Sequence, residues 1–276
     1  MLIGATGIGL APILVRLSQT GPVATAFYRI LLAQPILWWA LTREEESKPH
    51  PRDIWLAALA GFCFAGDLAI WHWSIRLTSV ANSTLLTNFA PFFVMIGARF
   101  LFGERVTQRL AIGMAIAFAG AFLLVFESLN LDRRFLLGDV LAVVTAVFYS
   151  SYLLVVKKLR TARSVAYVMT WSGVFCAPLL LLASVGSGET LLPASPAGWV
   201  VLALLAWVSH VGGQGLIAYG LAHIPASVSA VMLMWQPVVA ALLAWWILHE
   251  PLTPIRAIGG GIIIFGIAVG TWRATK

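Results

Sequence analysis

Charge is scarce in this chain. Asp, Glu, Lys and Arg make up 11% of its 276 residues, against about a quarter in soluble domains. That excludes an ordinary water-facing globule, whose surface could not be covered with so few charged groups. Cysteine is scarcer still. Cys63 and Cys176 lie far apart inside apolar stretches, which leaves no disulfide framework and no metal-ligand spacing. Catalytic signatures are missing too: the chain contains no HExxH, no P-loop and no dinucleotide loop. The runs nearest an intramembrane aspartyl-protease motif, FAGD ending at Asp67 and LLGD ending at Asp139, lack the first glycine, and TWSG at 170–173 is not the GxSG of a membrane serine protease. No cofactor, no metal and no enzyme activity are expected.

Apolar residues, at 60%, are what the chain has in excess. A helix crossing a bilayer needs roughly 20 of them in a row. Such runs fall near 23–42, 54–76, 80–102, 108–127, 137–157, 164–184, 198–221, 226–248 and 254–272. A shorter run at 2–17 lacks the basic start and the small-residue cleavage site of a signal peptide. It counts as a tenth span because of a repeat.

The line NFAPFFVMIGARFLFGERVT at 88–107 is rewritten at 234–253 as MWQPVVAALLAWWILHEPLT. Pro91 meets Pro237, Ala98 meets Ala244, Glu104 meets Glu250 and Thr107 meets Thr253, each pair 146 positions apart. The same register pairs Ser83 with Ser229, Gly113 with Gly259 and Gly120 with Gly266. The expected fold is therefore all-α and integral to the membrane: ten transmembrane helices in two five-helix repeats, 1–130 and 136–276. Five is odd, so the second copy enters from the opposite face and the repeats are inverted. Transporters use this arrangement to make inward-open and outward-open states of similar energy around a midplane site.

The formal charge of +7 suggests nucleic acid less than orientation. With the N-terminus cytoplasmic, the inner side holds twelve of the 18 Lys and Arg residues and the outer side six. The basic run Lys157–Arg163 fits that bias without a lipid or nucleic-acid site. A bacterial inner-membrane protein with both termini cytoplasmic is expected.

The FYR at 27–29, the paired proline helices ending in FGERVT and LHEPLT, and the glycine-rich helix after each resemble the EamA-type permeases of the drug/metabolite transporter superfamily. The resemblance covers almost the whole chain and is nearest to the branch exporting aromatic amino acids. It implies a ten-helix secondary transporter, often an exporter. It also implies a cavity lined chiefly by the third, fourth, eighth and ninth helices, with parts of the first and sixth. The first helix here is shorter at its start than the family pattern.

Polar groups at mid-membrane are costly, which makes each a site hypothesis. The candidates for substrate binding are Asp67 and His72 deep on the third span with Trp71 toward its outer end, Asn88 on the fourth, Tyr149 on the sixth, His210 and Gln214 on the eighth, and Trp235 and Gln236 on the ninth. Asn82 is also deep. Asp67 and Trp71 share a helix face, as do His210 and Gln214. Asp67 can pair with His210, bind a substrate ammonium, carry a coupling proton, or form a structural hydrogen bond. Arg29 can meet a substrate carboxylate or snorkel to the outer headgroups. Pro91 and Pro237 kink their helices and are hinge candidates, with static packing the alternative. Thr107 and Thr253 read as helix caps. Glu104 and Glu250 read as helix stops, their carboxylates meeting the amides of the next helix. The glycines of the last helix read as packing positions.

These features point to export of a small, largely apolar metabolite, foremost an aromatic or other amino acid, by alternating access. A multidrug or cation permease and an intramembrane enzyme are the alternatives. The partners are a small-molecule substrate, the lipid bilayer and, for an antiporter, protons.

Overall fold

A computed structural model describes residues 1–44, 50–129 and 132–272, without the side chains of residues 72, 75, 80 and 81. Among the described residues the structure is helical, with no strand. The helices group into ten spans: α1 (Leu2–Leu17), α2 (Pro22–Leu31 and Gln34–Thr42), α3 (Pro51–Leu77), α4 (Val80–Thr87 and Ala90–Phe102), α5 (Gln108–Val125), α6 (Leu136–Leu159), α7 (Val165–Gly186), α8 (Pro196–His223), α9 (Ala226–Leu248) and α10 (Pro254–Thr271). Among the described residues, eight of these are long and apolar enough to cross a membrane. The protein is an all-α, multi-pass membrane protein.

Where spans break, proline is the cause. Without an N–H, and with a ring that collides with the carbonyl four residues back, proline cannot continue the ladder. Breaks fall at Leu10 before Pro12, at Leu32–Ala33 before Pro35, at Asn88–Phe89 before Pro91 and at Met234 before Pro237. The last two lie in the 146-residue register. Neighbours take up freed carbonyls: the indole of Trp207 donates to Leu32 O at 3.1 Å. In α8 the ten residues Leu205–Gln214 widen into π-helical turns around Gly212 and Gly213. There α1 comes so close that a Cβ on Gly7 would lie 2.9 Å from Gly213 Cα.

α5 and α10 cross through glycine. A Cβ on Gly113 would sit 2.4 Å from Gly270 Cα, and one on Gly120 would sit 2.5 Å from Gly259 O. No larger residue lets the two backbones meet, the packing device expected where lipid supplies no hydrophobic drive between helices. The hydroxyls of Thr107 and Thr253 accept from Leu110 N at 3.2 Å and Arg256 N at 3.3 Å, capping α5 and α10. Glu104 departs from the expected local contact. It reaches across the repeats to the start of α9 instead of meeting α5.

The bundle has a near end, where α1 starts and α10 finishes, with turns at 103–107, 160–164 and 224–225. Its far end carries the turns at 18–21, 78–79 and 187–195. At the far end Gly21 N donates to Thr190 O at 2.8 Å and Gln19 accepts from Ser195 N at 3.0 Å. At the near end Arg163 pairs with Asp53 at 2.7 Å.

Candidate substrate cavity

Seven helices leave a cavity of about 240 Å³ between the middle of the bundle and its far end. Helical periodicity explains who lines it. On α2 the lining residues are Pro22, Ala26 and Arg29; on α3 they are Phe64, Asp67, Leu68 and Trp71; on α4, Thr84, Thr87, Asn88 and Pro91. Each set follows the i, i+3, i+4, i+7 spacing of a single face. α1 contributes Ile8 to Val15, α6 Thr145 and Tyr149, α8 Leu205 and Gln214, and α9 Leu233, Gln236 and Pro237. Most of this wall is apolar.

Two ionisable side chains, one basic and one acidic, stand in it. Arg29 does not snorkel: it is 7% exposed, and its guanidinium carbon lies 5.7 Å from the centre of the Phe64 ring. Asp67, on the adjacent helix, lines the same cavity. Around them lie polar atoms with no protein partner: Arg29 Nε, Thr145 Oγ1, Tyr149 Oη, Gln214 Nε2 and Gln236 Nε2. Tyr149 lies beside Gln236, the two polar ends facing each other across the wall. A buried polar group left unmatched costs about 1–3 kcal/mol. Several gathered on one cavity are groups that a polar solute can meet. Asn88 differs, since its Nδ2 donates to Thr84 O at 2.9 Å within the broken turn.

From this wall inward the rings of Tyr149, Tyr152, Phe64 and His210 form a column, of which Tyr149 and Phe64 line the cavity. Tyr149 and Tyr152 are 6.3 Å apart, Tyr152 and Phe64 4.5 Å, and Phe64 and His210 5.8 Å, with interplanar angles of 21°, 16° and 15°. His210 is 2% exposed and stacks behind Phe64 without lining the cavity, and the charge facing Asp67 is Arg29. Trp235 also stands apart: its indole donates to Thr6 Oγ1 on α1 at 2.9 Å. The backbone of His72 belongs to α3, but its side chain lies outside the described residues. Thus Asp67, Trp71, Asn88, Tyr149, Gln214 and Gln236 share one cavity with Pro91 and Pro237, while His210 and Trp235 do not line it.

Arg29 is the charged lining residue whose direction the sequence left open. Its signal was the spacing 22, 26, 29, which puts it on one face with Pro22 and Ala26. Thr84, Thr87, Thr145 and Phe64 had no signal beyond depth. α2 is also a lining helix, added to the six that the family resemblance implied.

Two stretches, residues 1–126 and 136–272, each match the EamA-like transporter family. The chain belongs to that family. Among curated relatives of this EamA-family transporter, an uncharacterized transporter of Archaeoglobus fulgidus is 27% identical over 93% of this chain and 90% of its own length. A protein of Streptantibioticus cattleyicolor called a probable terminal-alkyne amino-acid exporter is 27% identical over 92% of this chain and 85% of its own. An Escherichia coli protein called a probable amino-acid metabolite efflux pump is 28% identical over 69% and 68%. A solved structure with 19% identity aligns with a TM-score of 0.84 over 98% of this chain and 97% of that one, and so shares the fold.

Proposed function

We propose that this EamA-family transporter exports small zwitterionic metabolites, foremost amino acids with apolar or aromatic side chains, by alternating access around the cavity. The observation that carries the reading is the presence of Arg29 and Asp67 in one largely apolar chamber. A free amino acid is a carboxylate and an ammonium on one carbon, attached to a side chain. Arg29 presents a fork of donors to the carboxylate, Asp67 accepts from the ammonium, and Trp71, Leu68 and Pro12 receive the side chain. Gln214, Gln236 and Tyr149 supply further polar contacts to the backbone groups.

Size supports a small solute. Drug-sized ligands occupy pockets of about 300–1,000 Å³, and about 240 Å³ falls below that range. A cation or multidrug permease would also leave Arg29 without an anionic partner on its cargo. The Streptantibioticus relative, called a probable terminal-alkyne amino-acid exporter, and the Escherichia coli relative, called a probable amino-acid metabolite efflux pump, point the same way. The bias of basic residues supports an orientation with the near end and both termini in the bacterial cytoplasm and the far end outside. Asp67 can hold the substrate ammonium or a proton but not both at once, so exchange of the two makes an antiporter; a facilitator is the alternative.

The test is uptake of labelled phenylalanine into proteoliposomes, with and without a pH gradient, competed by tryptophan, leucine, lysine and glutamate. Saturable uptake blocked by tryptophan and leucine supports the reading, and stimulation by the gradient supports antiport. Uptake no greater than in empty liposomes, from folded protein, overturns the substrate assignment.

A further inference from the structure

The near end of the bundle is closed where the cavity lies toward the far end. On α9 the residues Ser227, Val228, Ser229, Ala230 and Val231 are all buried, and this start of α9 packs against the second half of α4. Ala230 is the counterpart of Thr84 in the 146-residue register. Thr84 lines the cavity, whereas Ala230 is 0% exposed.

One carboxylate sits at this closure. α9 starts after Pro225, a residue with no side chain able to cap it. Its counterpart in the first repeat, α4, is capped from within by Ser79, whose hydroxyl accepts from Asn82 N at 3.0 Å. The first amides of α9 are instead met from the other repeat. Glu104, at the end of α4, accepts from Ala226 N at 2.8 Å, Ser227 N at 2.9 Å and Ser227 Oγ at 2.6 Å. Lys157 of α6 stands 4.0 Å from the same carboxylate and donates to Ile224 O at 2.8 Å. Glu250, the counterpart of Glu104 at the far end, pairs with Arg16 and Arg256.

A cap carried by the helix itself is present in every conformation and favours none. A cap supplied from the opposite repeat exists only while the ends of α4 and α9 are together, so its whole stabilisation falls on one conformation. The bonds are charge-assisted and lie on the positive end of a helix dipole, which makes them strong for their number. We propose that Glu104 is a latch for the near end. It ties α4 to the start of α9 and keeps the cavity directed to the far end, and its release is the step that lets the cavity open at the near end. Glu104 acts through α9 and touches no substrate, so it is a positioning residue for transport. The inference rests on the alternating-access reading above.

The experiment measures which end is open. In nanodiscs, where both ends face water, the parent carries Cys63→Ala and Cys176→Ala plus one reporter, Ala230→Cys or Thr84→Cys, and its rate of maleimide labelling is followed. Glu104→Gln is expected to raise the rate at 230 about tenfold, the shift that loss of one charge-assisted hydrogen bond imposes on a two-state equilibrium, and to lower the rate at 84. Adding Pro225→Ser restores a cap within α9. The double variant is expected to regain any lost thermal stability while keeping the shifted labelling. If it labels like the parent, Glu104 is only a helix cap and the latch is overturned; unchanged rates in Glu104→Gln overturn it too. If position 230 stays unreactive in every variant, with and without L-phenylalanine, alternating access itself fails, and the latch with it.

Discussion

Gly103 and His249 hold the same place in the two repeats and the same backbone conformation. They stand 146 residues apart, each ends its proline-broken helix, and their φ angles are 66° and 54°. The amides that follow bond back alike, Glu104 N to Ala98 O at 3.3 Å and Glu250 N to Ala244 O at 3.2 Å. The inverted duplication therefore extends to the cap that aims each glutamate. Glycine adopts this left-handed conformation freely and histidine does not. Among the described residues His249 is the one non-glycine with positive φ.

His249→Gly is accordingly expected to stabilise the protein by about 1 kcal/mol, and Gly103→Ala to destabilise it by a similar amount. Thermal unfolding in detergent reads both. Equal and opposite shifts in midpoint are the expected result; a loss of stability in His249→Gly would show that the imidazole makes a contact worth more than the strain.

Arg29 and Asp67 give a prediction about recognition. Removing one partner of a charged pair costs about 1.5–3 kcal/mol, so Arg29→Gln should lower kcat/KM for phenylalanine by roughly tenfold to a hundredfold. Arg29→Lys keeps the charge but loses the planar fork, and should restore transport only in part. Asp67→Asn should erase the preference for phenylalanine over its des-amino analogue, measured by competition. Unchanged discrimination in Asp67→Asn would place the ammonium elsewhere.

How much of this could be read from the chain depends on which property carried the information. The spans were legible because a helix in lipid must satisfy its own backbone and expose apolar side chains along about 20 residues. The repeat was legible because Pro91 and Pro237 sit in register with the glutamates behind them. Pro12 and Pro35 have no such partner, and the breaks they cause in α1 and α2 went unread. Depth was also legible, but azimuth was not. Each residue turns 100° about the helix axis, so adjacent Trp235 and Gln236 point apart, and the turn at Met234 directs the first to Thr6 and the second to the cavity. Arg29 stayed open between cavity and headgroups for the same reason: its depth allows snorkelling, and only its face shows that it turns inward.

Glycines at α5 and α10 separate contact from tolerance. A Cβ on Gly120 meets Gly259 O at 2.5 Å and Ile263 N at 2.7 Å, both backbone atoms that cannot step aside, while one on Gly261 meets nothing within 4 Å. Gly120→Ala should cost about 1–3 kcal/mol through overpacking and reduce the yield of folded protein. Gly261→Ala should be neutral or stabilising by about 0.5–1 kcal/mol, since it removes the entropy of a mid-helix glycine. Size-exclusion profiles and thermal midpoints compare them directly, and equal outcomes would refute the close crossing.

Pro91 and Pro237 allow hinge and static packing to be told apart. Both helices break three residues before the proline, at Asn88 and Met234, and both prolines line the cavity. Replacing either by alanine returns an amide donor to the helix and removes the ring clash, changes that favour a straight helix. If the bend is held only by neighbouring helices, Pro91→Ala should transport like the parent and change stability by less than about 1 kcal/mol. If the bend is the joint about which the ends of α4 and α9 swing, straightening it should lower the turnover rate severalfold while leaving substrate affinity within about twofold, because the cavity walls are retained and the exchange between states is slowed. Measuring phenylalanine affinity by calorimetry and turnover in proteoliposomes for each single variant and for the double variant separates these results. A hinge predicts that either single replacement slows the cycle, since the inverted repeats bend in opposite halves of it, and that the double variant is slower than both.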